Sequence, residues 1–233
     1  CGFDEIWLAE DYFFTGGIAG ASLVLGNTSN ITVGIGVVSA VARHPALLAM
    51  ELSTLARVYE DRLIAGIGLG VPAWVRQMGL HPRSPLSALR ECVTTTKSLL
   101  RGETVDLRGD VFAFNDVNLV YPETGTPTPI RMGVIGPKML QLSGEVADGS
   151  VLSVSAGHDY VRWAKARIEE GRARGGRTDA HPITVFAIYA VDEDGAAARA
   201  SARAKLAFYR QNGSNGLTDV YGISDQMDAL VKQ

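Results

Sequence analysis

The sequence predicts an α/β protein built on a parallel sheet. Short apolar runs alternate with helical patterns along the chain, the order in which strands and covering helices follow one another. The runs ITVGIGVV, LIAGIGL and ITVFAIYAV are apolar at odd and even positions alike. Strands buried on both faces read this way, whereas an antiparallel strand with one wet face alternates. No 20–50-residue repeat, low-complexity tract or charge run points to another architecture.

Taken in order, Glu5–Ala9 reads as the first strand and Ile31–Val38 as the second. Pro45–Tyr59 follows as a helix, with Leu47, Leu48, Leu52, Leu55 and Ala56 on one stripe. Leu63–Leu69 is the third strand. Ser84 before Pro85 is a helix start, since proline fits the first turn, where its missing N–H would be unpaired anyway. Leu86, Leu89, Val93 and Leu100 then keep the period until Gly102. Glu103–Thr128 reads as a hairpin-like insertion and linker. After it come a strand at Ile130–Ile135, a helix at Pro137–Ala147, a strand at Ser150–Val154 and a helix at His158–Arg174, which Gly175-Gly176 ends. A strand at Ile183–Val191 and a helix at Glu193–Arg210 complete the alternation. The tail, 211–233, opens on NGSNG, reads as mobile, and carries a short helix near Ser224–Val231. Six strands fit an open doubly wound sheet or part of a closed (β/α)8 barrel.

The chain has 233 residues, 46% hydrophobic and 20% charged, which suits a folded domain rather than a disordered segment. Lys plus Arg number 22 against 25 Asp plus Glu, a formal net charge of −3. No basic excess draws it to nucleic acid or an anionic membrane. No apolar run approaches the roughly 18 residues of a membrane span, and no secretory leader opens the chain. The two cysteines, Cys1 and Cys92, form neither a disulfide framework nor a metal-ligand pattern, so a cytoplasmic setting is expected. His44, His81, His158 and His181 are scattered, and no metal site is expected. The abrupt start at Cys1 does not look like a native beginning.

Four places could carry chemistry. Glu10 and Asp11 follow the first strand, at the end where parallel α/β folds place their sites. Adjacent carboxylates there can act as acid, base or polar anchor; a solvated turn is the plain alternative. Gly34 and Gly36 interrupt the second strand, as at a bulge or a close approach. Arg43-His44-Pro45 follows, and His44 reads as a surface residue of a first helical turn. Gly66-Ile67-Gly68-Leu69-Gly70 is neither a dinucleotide fingerprint nor a phosphate loop. Gly136-Pro137-Lys138 joins a strand to a helix start, where free N–H groups and the helix dipole attract an anion, and Ser153 ends the next strand.

WLAEDYF, GIGVVSAVARHP, RLIAGIGLG, SPLSALRE with SLLRGE, and GPKMLQLSGEVADG occur in one order and spacing. Together they resemble the bacterial-luciferase-like flavin and deazaflavin oxidoreductases, above all the branch using coenzyme F420. The resemblance runs from Gly2 to about Tyr209. It implies one (β/α)8 TIM-type barrel domain over 1–233, with an insertion at 103–128. The family's first strand and helix would precede Cys1 and its last would follow Gln233. It also implies an F420-dependent oxidoreductase, in which a hydride moves between C5 of the deazaflavin ring and a small organic substrate. An FMN-dependent monooxygenase and a non-catalytic F420 or flavin binder are the alternatives. By resemblance, Glu10 and Asp11 border ring and substrate, though the family usually has His where Asp11 stands. Gly36-Val37 matches a non-prolyl cis peptide backing the ring, and Ser39 borders the ring edge. Gly136, Pro137, Lys138 and Ser153 match the holders of the cofactor phosphate. Val71 stands where some deazaflavin dehydrogenases carry an acid. Family members are commonly dimers or larger, so a homo-oligomer is expected.

Overall fold

The computed structural model describes residues 2–211 and 215–231. The chain forms two compact units, Cys1–Gly133 with Val146–Gly149, and Val134–Glu145 with Ser150–Gln233.

In the first unit, β1 (Glu5–Leu8) leads to α1 (Gly17–Gly26), β2 (Thr32–Ser39), α2 (Pro45–Val58) and β3 (Leu63–Gly68). A short α3 (Pro72–Gln77) and the long α4 (Pro85–Leu100) follow. Then come β4 (Val105–Arg108), β5 (Ala113–Val117) and β6 (Ile130–Gly133). The strands β1, β2, β3 and β6 pair in that order, all parallel. Ile35, Ala65 and Ile130 stand side by side in register, as do Ile67 and Met132, and all five are fully buried. Leu48 and Leu52 of α2 and Leu89 and Val93 of α4 join this core. Ser84 caps α4 by accepting from the Ser87 amide at 3.3 Å. Cys92, on the same helix, is completely buried, and burial pushes its thiol up to about 12.

Side chains on the opposite face are placed by missing ones. Trp7 pairs in register with Gly34, where a Cβ would lie 2.4 Å from the indole. The 103–128 stretch makes the expected hairpin, β4 against β5. Its turn is tied to α4 because the Glu91 carboxylate accepts the amides of Asp110, Val111 and Phe112. His44 is part of that attachment rather than a plain surface residue. Its Nδ1 accepts from the Ala46 amide at 3.3 Å, which leaves Nε2 to donate to the Ala113 carbonyl at 3.2 Å.

In the second unit, α5 (Pro137–Val146) precedes β7 (Gly149–Leu152), α6 (His158–Arg174) and β8 (Ile183–Val185). Helices α7 (Gly195–Gln211), α8 (Asn215–Asp219) and α9 (Ser224–Val231) close the unit. β7 and β8 are parallel. Helices α5 and α6 meet backbone to backbone: a Cβ on Gly171 would lie 1.8 Å from the Gln141 carbonyl oxygen, and one on Gly144 would lie 2.0 Å from that of Ile168. Ser143, Ser150 and His181 form a hydrogen-bonded chain at 2.7 and 2.9 Å.

The strand expected at Ile183–Val191 stops at Val185. Beyond it the Phe186 amide still donates to the Leu152 carbonyl at 3.0 Å and an isolated bridge joins Ser155 and Ala187, but Tyr189 and Val191 are exposed. The continuous apolar run of that segment therefore outlasts the strand itself. Of the tail expected to be mobile, 212–214 and 232–233 lie outside the described residues. The short helix expected at Ser224–Val231 is α9. No helix among the described residues is long and apolar enough to cross a membrane.

Candidate active site

Parallel pairing brings the C-terminal ends of β1, β2 and β3 to one edge of the first unit, and five expected site residues gather there, Glu10, Asp11, Gly36, Val37 and Ser39. The loop after β1 carries Glu10 and Asp11. The Glu10 carboxylate accepts from the Gly17 amide at 2.9 Å, and from Arg43 Nη2 at 3.3 and 3.4 Å on its two oxygens. Asp11 is partly buried, and burial alone raises its carboxyl above the ordinary range. The adjacent Glu10 is not what raises it, because that carboxylate is already met by Arg43 and the Gly17 amide.

At β2 the register with β3 shifts between Ile35 and Val38, and the Gly36-Val37 peptide is cis. Both features agree with the sequence reading. The displaced Val37 side chain lies across the neighbouring strands. A Cβ on Gly68 would come within 2.6 Å of it, one on Gly66 within 2.9 Å, and one on Gly133 within 3.0 Å. Gly66 and Gly68 of GIGLG, weak evidence as a sequence, thus form a floor for Val37 together with Gly133. Gly66 and Gly68 are two apart in one strand and so share a face, which is the signal that could have shown it. Ser39 is spent locally: its hydroxyl donates to the Leu69 carbonyl at 2.9 Å and accepts from the Val41 amide at 3.3 Å.

Tyr12 belongs to this rim too and was missed in the sequence. Its hydroxyl is buried without a hydrogen bond of good geometry. Burial raises the phenol's pKa, against a smaller lowering by the nearby Ser39 hydroxyl. The ring packs where Gly70, at φ +81°, has no side chain: a Cβ there would lie 3.0 Å from it. Phe13 and Phe14 are exposed on the same loop, and Phe14 meets Trp74 of α3 at 5.9 Å between ring centres. Val71 is the N-cap residue of α3 and makes no side-chain cap bond.

The expected phosphate-holding residues lie in the second unit. The Val134 amide donates to the Val151 carbonyl at 3.3 Å. Gly136 and Ser153, each two residues further on, therefore reach the same edge. Gly136 caps α5 by accepting from the Leu140 amide at 2.9 Å, and Pro137 is the first helical residue. Lys138 is exposed, and a Cβ on Gly136 would meet nothing within 4 Å. Space is thus open beside Gly136, at the start of α5.

The profile of the Luciferase-like monooxygenase family matches residues 1–227. The chain belongs to the luciferase-like monooxygenase family. This luciferase-like protein is 30% identical to a 5,10-methylenetetrahydromethanopterin reductase of Archaeoglobus fulgidus, over the whole chain and 69% of the relative. It is 29% identical to the enzyme of that name from Methanolobus tindarius, over 95% of the chain and 68% of the relative. Among solved structures, the coenzyme F420 dependent tetrahydromethanopterin reductase from Methanopyrus kandleri superposes with a TM-score of 0.84 at 25% identity. That match covers 97% of this chain and 69% of the other. The luciferase-like protein has the barrel-type α/β fold of these enzymes, and the open doubly wound sheet is set aside.

Proposed function

We propose that this chain is a coenzyme F420-dependent oxidoreductase that moves a hydride between the deazaflavin ring and a small organic substrate. The observation that carries the reading is the near full-length likeness to reductases of that cofactor. The residues present fit such a group. The first unit offers a buried Tyr12 hydroxyl without a hydrogen bond of good geometry and a bulged Gly36-Val37 segment seated on Gly66, Gly68 and Gly133. The second offers an open helix N-terminus at Gly136-Pro137 with Lys138 beside it, suited to a phosphate.

When bound, the deazaflavin supplies or takes up the hydride. The chain's own residues do the rest. Asp11, whose carboxyl burial raises above its ordinary range, stands at the rim and would give a proton to the substrate atom that becomes basic. Tyr12 donates its phenolic hydrogen bond to an oxygen in the same mouth. Val37, seated over Gly66, Gly68 and Gly133, would back the ring. Gly136, Pro137, Lys138 and Ser153 hold the phosphate. We read the substrate as a small molecule, 1–233 as one barrel domain, and the setting as cytoplasmic, which the sparse cysteines favour. A homo-oligomer is favoured by the exposed Leu47, Met50 and Val58 along α2.

Absorption titrations with F420 and, separately, FMN test the cofactor. A saturable change with F420 and none with FMN is expected; the reverse result overturns the reading in favour of an FMN-dependent monooxygenase. Cofactor binding without hydride transfer to any of a panel of carbonyl, imine and pterin substrates favours a non-catalytic binder.

A further inference from the structure

Two carboxylates follow β1, and their surroundings divide the work between them. Glu10 has a side chain only 7% exposed, although it stands in a rim loop. One oxygen accepts the amide of Gly17, the first residue of α1, where the helix dipole favours an anion. Arg43, from the connection between β2 and α2, reaches both oxygens, while its Nε faces Glu51 of α2 at 3.7 Å. The closure is tight: a Cβ on Gly17 would lie 2.9 Å from Glu10 Cβ and 2.8 Å from Ile35 Cγ2. One carboxylate thus ties the β1 loop to the start of α1 and to the chain leaving β2, and in every contact it accepts. Among the described residues nothing comparable holds Asp11, the next residue.

We infer that Glu10 is a positioning residue: latched on Arg43 and the Gly17 amide, it fixes the loop that presents Asp11 and Tyr12, and it passes no proton to the substrate. The inference rests on the proposed function for the identity of the reaction, but the latch itself does not. Losing it lets the loop shift, and a displacement of about 1 Å at a reacting group can cost 10²-fold in rate.

The test uses Glu10→Gln, Glu10→Ala, Arg43→Met and the Glu10→Ala/Arg43→Met double variant of the full chain, with two readouts. The first is steady-state F420 turnover against pH. Glu10→Gln keeps an acceptor for the Gly17 amide, so it should retain the parental pH profile and turn over faster than Glu10→Ala. Glu10→Ala and Arg43→Met should each lower kcat roughly 10- to 100-fold with KM little changed, and the double variant should be no slower than either. The second readout is hydrogen exchange at the Gly17 amide of 15N-labelled protein, which should speed up at least about 10-fold in Glu10→Ala and Arg43→Met. Loss of a limb of the pH profile in Glu10→Gln would make Glu10 a proton donor and overturn the inference. So would unchanged Gly17 protection in Arg43→Met, or an additive double variant. If the parent protein neither binds nor turns over F420, the functional reading fails, and Gly17 protection still decides the latch.

Discussion

Asp11 stands one residue from an ion-paired carboxylate, yet among the described residues no side-chain bond holds its charge. As the proposed proton donor it should be costly to remove: Asp11→Ala should keep its fold and F420 affinity while single-turnover hydride transfer drops on the order of 10²–10⁴-fold. The raised carboxyl also sets a sign for stability. The folded state binds this proton more tightly than the unfolded chain does, so the associated stability is full below the ordinary value of 3.8 and is lost as pH rises through the folded value. Asp11→Asn should therefore melt above the parent at pH 7, with the gap closing below about pH 4. Adjacency in sequence made Glu10 and Asp11 legible as candidates but could not separate them. The separation depends on Arg43, 33 residues away from Glu10, and on Gly17. Tyr12 was not legible, because nothing in WLAEDYF tells a buried hydroxyl from a wet one.

Elements were readable where their period was clean. Helices α2, α4, α5 and α6 begin and end within about a residue of the apolar pattern and its Pro or Gly punctuation. Helix α1 was not anticipated, because GIAGASLVLG is apolar or glycine at every position but Ser22 and has no stripe to announce it. The contact of α5 with α6 was equally hidden. Gly144 and Gly171 look like poor helix residues until the facing carbonyls are seen. Gly171→Ala, which propensity alone would favour, should instead destabilise the protein by roughly 1–3 kcal/mol or more. Denaturant unfolding measures the loss, and a stabilised variant would show that the helices separate freely. The start of α5 has the opposite character. Since a Cβ on Gly136 meets nothing, Gly136→Asp should fold normally yet weaken F420 binding at least about 10-fold, by placing a carboxylate where a phosphate is to sit. A titration with unchanged affinity would remove this end of α5 from the site.

At the scale of the molecule, local pattern could not choose between an open sheet and a barrel, because strands covered on both faces read alike in the two. The order of several weak motifs decided it, and the structural likeness agrees. A cofactor that binds only the folded chain must also stabilise the whole of it. F420 at about 100 times its Kd should add about 2.7 kcal/mol, or roughly 5–10 °C in melting temperature for a chain of this size, with no shift from FMN. Equal shifts from both would undo the cofactor assignment. Cys92 supplies a separate clock for the same molecule. Its thiol sits wholly inside α4's packing and holds its proton to about 12, while thiol reagents attack only an accessible thiolate. In a Cys1→Ser background, an alkylating reagent should modify Cys92 only when its surroundings open. The labelling rate at saturating reagent then times that opening directly, with no denaturant and no assay of activity.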